Sequence, residues 1–320
     1  MARMQSASGY GGLESTPLAR PGYFNEIMNR VYERDFLPEI TNSQIDERIT
    51  YCHQQVQIMK APEVGEWRTL QKNQEMIPNQ VSTEAICLEV CNAAYNDIKI
   101  DQLDIRWACE RWDAWEEAFL DAVYEKYVEM QRKWVLTAMV IEASPRNMGA
   151  HAGQYHNTDL GSRGNPVVVN KDNIALQVTK LQEILVDNLR WVENDMFLVV
   201  PVQFRSILAQ SNYANQDWIG SGARNTSFNI DGKWEQQLCG FNVIETVQCP
   251  HVVEDDGRVC FYILAGSRDG YVYASDIVDG RIVQPERTWS AEYQMLAVWG
   301  GKMIYPECVC VAYWTFDTQE

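Results

Sequence analysis

Histidine is scarce in this sequence, with four residues in a chain of 320, which leaves little imidazole for general acid–base work. Basic residues are also in deficit: 27 Lys and Arg stand against 44 Asp and Glu, a formal net charge of −17. That balance excludes a protein gripping nucleic-acid phosphates over a broad surface and one docking on an anionic membrane. No apolar run reaches the roughly 18 residues of a membrane span; the longest, Trp134 to Ala143, is broken by Thr137 and Glu142. Met1 to Gly12 carries no apolar core of a secretory signal.

Several chemical signatures are missing too. The nine cysteines are odd in number, in a chain too large to need staples, and are expected as reduced intracellular thiols. The close pairs Cys87/Cys91 and Cys308/Cys310 do not match the C-x-x-C repeat of a zinc site, so cysteine reads as a small hydrophobe. The glycines from Gly149 to Gly164 form neither G-x-x-x-x-G-K-[ST] nor G-x-G-x-x-G, which leaves a phosphate cradle unsupported. His151, His156 and Asp159 are types that can bind a metal, but their irregular loop spacing favours plain loop polarity. Cys52 and His53, adjacent on a strand, point to opposite faces and make no catalytic pair. Asp255-Asp256-Gly257 is a turn signature. No catalytic constellation, metal or cofactor site is expected. The chemical alternative is a thiol hydrolase using a cysteine with His151 or His156.

What is present is a hydrophobic share of 46% and eleven Trp, a globular composition of about two average domains' length. Residues 1–22 read as an extended arm, slightly basic through Arg3 and Arg20 against Glu14. A short helix is expected from Tyr23 to Phe36, ended by Pro38. Alternation then marks a ribbon, Thr50 to Ile58 and Glu84 to Ile100, polar on both faces and therefore without a core of its own in one subunit. Between the two lies a polar connection holding Trp67, expected as an intersubunit anchor. Asp101 to Ala143 is the strongest local signal. Trp112, Trp115, Phe119, Val123, Tyr127, Met130, Trp134, Ala138 and Ile141 recur every three or four residues as one helical stripe. Leu120, Tyr124, Val128, Val135 and Met139 widen it. The opposite face is acidic, and Glu129 to Lys133 has the favourable spacing for an ion pair. Asp101 and Asp104 suit the positive end of the helix dipole. With no His at i+3, the carboxylates read as a solvated face or as charges meeting a neighbour. A strand at Val167–Val169, a helix from Lys171 to Leu189, a buried strand at Phe197–Val200, a helix from Val202 and a strand from Phe241 to Val247 follow. Val259–Leu264 and Tyr271–Ala274 are expected as a hairpin across Ser267–Gly270. The β-rich tail, Arg287 to Phe316, is expected to be divided by Gly300, Gly301 and Pro306.

The segment Gly161-Ser-Arg-Gly-Asn-Pro-Val-Val-Val, the helix after it and then Phe197-Leu-Val-Val-Pro resemble major capsid proteins of tailed bacteriophages. So do Leu238-Cys-Gly-Phe-Asn-Val and the approach Tyr95-Asn-Asp-Ile-Lys-Ile-Asp-Gln-Leu-Asp. The resemblance implies an α+β fold of the Hong Kong 97 type. In it residues 1–45 are an N-terminal arm and 46–100 an extended E-loop. Residues 101–145 are the spine helix of a peripheral domain, 146–284 an α/β axial domain, and 285–320 the C-terminal strands of the peripheral domain. Arg3, Tyr10, Arg20, Val56, Ile58, Trp67, Lys72 and Met76 become candidates for contact between subunits. Trp112, Trp115, Phe119, Val123, Tyr127, Met130 and Trp134 become the core of the spine.

The implied function is self-assembly, without catalysis or cofactor, into hexamers and pentamers of an icosahedral shell enclosing double-stranded DNA. The location is the virion, after assembly in the host cytoplasm. Partners would be a separate scaffolding protein, since the E-loop begins too early for a large N-terminal scaffold, a portal and a decoration protein. An encapsulin-like compartment is the alternative shell. Family crosslinks join a Lys of the E-loop to an Asn of the peripheral domain. Lys60 and Lys72 could supply the first, but no Asn follows Asn242, so no crosslink is expected.

Overall fold

The computed structural model describes residues 35–42, 55–60, 69, 81, 84–101, 112–154, 157–189, 196–211, 238–283, 285 and 288–317. In chain order these form α1 (Leu37–Ile40), β1 (Gln55–Met59), β2 (Ala85–Glu89), β3 (Asn92–Asp101), α2 (Trp112–Glu142), β4 (Val167–Val169) and α3 (Ile174–Leu189). There follow β5 (Met196–Val200), α4 (Gln203–Gln210), β6 (Phe241–Glu245), β7 (His251–Val253), β8 (Val259–Ser267), β9 (Tyr271–Val283), β10 (Ser290–Met303) and β11 (Val309–Phe316).

A six-stranded sheet, in the order β4-β11-β8-β5-β6 with β7 also on β8, is apolar on both faces. Period-two alternation along β5 sends Met196, Leu198 and Val200 into one core, with α3, α4 and Trp314 of β11. Phe197 and Val199 go into the other core, with α2, Leu37 and Ile40. Every residue of β5 is buried as a result, the pattern of a strand covered on both sides. The glycine-rich loop after α2 is stitched to β11. Asn147 Nδ2 donates to the carbonyls of Glu307 and Val309 at 2.9 Å each, and the Tyr313 amide donates to Leu160 O at 2.8 Å. Gly161, at φ +86°, lies so close to this edge that a Cβ would stand 2.2 Å from Tyr313 O.

The second sheet has three strands, β3-β10-β9. One part of it packs on α2, where Trp299 meets Trp134 edge-to-face at 6.4 Å between ring centroids. A two-stranded ribbon, β1 against β2, lies over another part: Leu88 and Val90 are fully buried against Val272, Ala274, Val298 and Ile304. Gly300 permits this seat, since a Cβ there would stand 2.7 Å from Glu89 O.

Several expectations are corrected. The ribbon is not polar on both faces, because Ile58, Ile86 and Leu88 share an inward face whose floor comes from strands far along the chain. Its second strand ends at Glu89, and β3 pairs instead with β10. Asp101 ends β3 opposite Ser290 and is not in a helix; Asp104 is outside the described residues. The described helix has 31 residues, roughly 46 Å at ~1.5 Å per residue. Its buried line runs through Tyr124, Val128, Val135, Leu136 and Met139, whereas Ile141 is 75% exposed. Both lines are apolar, and packing against β5, β8 and β10 selects between them. Glu129 pairs with Lys126 at 2.9 Å rather than with Lys133.

Pro38 opens the short helix α1, as its fixed φ and missing N–H suit a first turn; residues 35 and 36 are not helical, and the rest of the helix expected from Tyr23 lies outside the described residues. β8 and β9 are consecutive but form no hairpin. The 3-10 turn Arg268–Gly270 carries the chain from one sheet to the other. Gly300 and Gly301 lie within β10, and the tail divides only at 304–308. Asp256 and Gly257 do make the expected turn, between β7 and β8, closed by Gly257 N donating to Glu254 O at 2.9 Å.

Candidate assembly interface

Arg3, Tyr10, Arg20, Trp67, Lys72 and Met76 lie outside the described residues. Val56 stands opposite Leu88 in the ribbon; its side chain, like those of Trp112, Trp115 and Phe119 at the start of α2, lies outside the described part. Ile58 is half-buried opposite Ile86, while its neighbour Met59 is 75% exposed. Lys60 closes the ribbon across the strands, its ammonium 2.8 Å from Glu84. Val123 is buried, and Tyr127, Met130 and Trp134 are half-buried along the margin between α2 and the three-stranded sheet. Three large exposed residues escaped the sequence reading: Tyr95, Leu296 and Trp289. Tyr95 and Leu296 face each other across β3 and β10. Alternation along 92–101 carries that signal, but only knowledge of which face is covered makes it readable.

The chain entering the fold at residue 35 is clamped to α2. Asp35 Oδ1 accepts from Arg132 Nε at 2.8 Å, and the same guanidinium lies 4.4 Å from the centre of the Phe36 ring. Burial raises the Asp35 carboxyl above its ordinary range, and Arg132 offsets that only in part. Leu37 and Ile40 then enter the core beside Val135, Leu136 and Met139. Asn42 joins β9, its amide donating to Tyr271 O at 2.8 Å. Whatever precedes residue 35 is therefore anchored where α2 meets β9.

Among the described residues no group of three or more His, Cys, Asp or Glu could hold a metal ion, and Cys87, Cys91, Cys249, Cys260 and Cys310 are free thiols. Burial pushes the Cys249 thiol up to about 12, and its Sγ donates to Tyr262 O at 3.2 Å. Burial also raises Cys310, which donates to Asn147 O at 3.2 Å. Thiols so placed are not the thiolates a hydrolase needs. Asp159 caps its own loop, accepting from Gly161 N at 2.9 Å; His151 is exposed, and His156 lies outside the described residues. The carboxylate of Glu254, beside β8, makes structural contacts. Glu254 Oε1 accepts from Tyr313 Oη at 2.5 Å and from Gly164 N at 3.1 Å. Those donors, Tyr313 first, hold its carboxyl below the usual range.

This architecture has counterparts among solved structures. The structure of Mycobacterium phage Che8 matches with a TM-score of 0.61 at 15% identity, over 88% of this chain and 90% of that one. The asymmetric unit of the mature capsid of bacteriophage PhiM1 matches at 0.59 and 12%, over 90% and 88%. A virus-like particle from Pyrococcus furiosus matches at 0.50 and 10%, over 91% and 97%. No protein-family model matches the chain, and no curated protein does. The fold is a phage capsid fold. At these identities the likeness defines the architecture alone.

Proposed function

We propose that this chain is a phage major capsid protein that self-assembles into hexamers and pentamers of an icosahedral shell enclosing double-stranded DNA. The observation that carries the reading is the length of the likeness: 88% of this chain on 90% of the Che8 chain. In this reading residues 1–45 are the arm, 46–100 the E-loop, 101–145 the spine, 146–284 the axial domain and 285–320 the closing strands. The shell closes by repeated heterologous contacts, each modest and all engaged at once. The ribbon seats its inward face on its own subunit and turns its outer face, with the arm, to neighbouring subunits, where strand edges and anchors such as Trp67 make the contacts. The role is structural, in the virion, after assembly in the host cytoplasm. A separate scaffolding protein guides shell size; a portal and a decoration protein complete the particle.

A net charge of −17 suits a shell that encloses DNA without gripping it, leaving weak repulsion at its lining. Electron microscopy of the purified chain, alone and co-expressed with its scaffolding protein, tests the reading. Closed icosahedral particles of uniform size are expected with the scaffold. A discrete monomer under both conditions would overturn it, and shells filled with protein cargo would point instead to an encapsulin-like compartment. Denaturing gels of the particles are expected to show single subunits and no covalent ladder.

A further inference from the structure

Val128, in the middle of α2, is 2% exposed, and Tyr124, one turn before it, 5%. They cluster with Tyr127, so the described members of this small apolar group all belong to α2 itself. One helix cannot enclose its own valine to that degree, and a second element must lie over this side. The three-stranded sheet is not that element. Val123, Tyr127 and Met130 face it across a hollow shared with Ala94, Met295 and Ala297, and at about 100° per residue Val128 stands roughly 130° round the helix from the middle of that line. Nor is it the core under the six-stranded sheet, which takes Val135, Leu136 and Met139 but not Val128.

We propose that residues 23–34 dock on this side of α2, in their own subunit, as an amphipathic helix. The clamp delivers them there. Asp35 is held on Arg132, and Arg132 lies one helical turn from Val128 on the same face, about 6 Å away. The direction agrees. Leu37 and Ile40 sit beside Val135, Leu136 and Met139, so the chain runs with α2, and what precedes residue 35 is led towards Val128 and Tyr124. Phe24, Ile27, Met28 and Val31 have the i, i+3, i+4, i+7 spacing of one apolar helical stripe. A helix over 23–34 is roughly 18 Å long at ~1.5 Å per residue, and α2 extends roughly 30 Å from Arg132 back to Trp112, room enough to seat it. Charge is complementary as well: Glu125 is exposed on the Arg132 side of this surface, and the segment carries Arg30 and Arg34. The docking does not depend on the shell reading, but it sharpens that reading. Of the arm, residues 1–22, with Arg3, Tyr10 and Arg20, are the part left to reach another subunit.

The test uses the full-length chain. A photo-crosslinking amino acid in place of Tyr124 is expected to capture residues 23–34. In a mixture of two isotope-labelled populations, both halves of the captured pair are expected to carry the same label. Capture of another segment would give α2 a different cover, and pairs of mixed label would make the cover a neighbour's arm; either overturns the docking. Trypsin supplies a second readout. Cleavage after Arg30 is expected to be at least about tenfold slower than after Arg3, because the docked segment must open first. Val128→Asp is expected to remove most of that difference and to leave cleavage after Arg3 unchanged. Equal rates in the wild-type chain, or full protection of Arg30 in Val128→Asp, would overturn the proposal. A same-label crosslink in a chain that forms no shells would remove the shell reading and leave the docking standing; shells without that crosslink would do the reverse.

Discussion

Strand β5 buries all of its residues, whereas β3, twice as long, buries only Ile100. The contrast extends to the sheets that hold them. The six-stranded sheet is closed by helices on one face and by α2 and α1 on the other, all from its own chain. The three-stranded sheet is covered in part by α2 and in part by the ribbon, and presents Tyr95 and Leu296 outward. Closed and open regions share the same strand chemistry. What differs is how much of each face one subunit can cover, which is the division expected of a protein that completes itself by assembly.

The comparison breaks first at β5. Phe197→Ala is expected to destabilise the subunit by about 3–5 kcal/mol, read as a lowered denaturant midpoint; a change near zero would mean the six-stranded sheet is not the closed core. Next is the clamp at the chain's entry. Arg132→Ala strands the buried Asp35 carboxylate and is expected to cost about 3 kcal/mol, while Asp35→Asn costs much less because burial already opposes the charge. Leu88→Ala, at the base of the ribbon, is expected to cost about 2 kcal/mol, with faster amide exchange in β1 and β2 and unchanged exchange in β5.

Two groups give opposite pH signs. Glu254 has a lowered carboxyl, so its contribution is present above the ordinary carboxylate value of 4.5 and disappears as pH falls through the folded value. Protection of the Gly164 amide is expected to vanish there, and to lose its pH dependence in Glu254→Gln. Asp35 has a raised carboxyl, so its ionisation opposes folding: its contribution to stability is greatest below the ordinary carboxylate value and is lost as pH rises through the folded value. The smallest effect belongs to the open face: Tyr95→Ala is expected to change subunit stability by no more than about 0.5 kcal/mol.

Much of the closed region was legible in the sequence because its signals are local. The apolar run at 197–200, the 3.6-residue period from Ile174 and the strand at 167–169 need no distant partner to be recognised. What escaped depends on long-range partners. Val272, Ala274 and Val298 supply the ribbon's floor from far along the chain, so its inward face looked unpartnered. A short link between β8 and β9 looked like a hairpin because nothing local says that the two strands join different sheets. Along α2, two apolar lines were both visible, and only tertiary packing could choose Val135 and Met139 over Ile141. Of the candidate contact residues, Ile58 is the one whose side chain the structure describes.

Hydrogen exchange compared between free subunits and assembled particles tests the division between closed and open regions most directly. The expected result is strong new protection in β1, β2 and β3 on assembly, with β5, β8 and β11 equally protected in both states. New protection confined to β5, β8 and β11, with the ribbon and β3 unchanged, would contradict it.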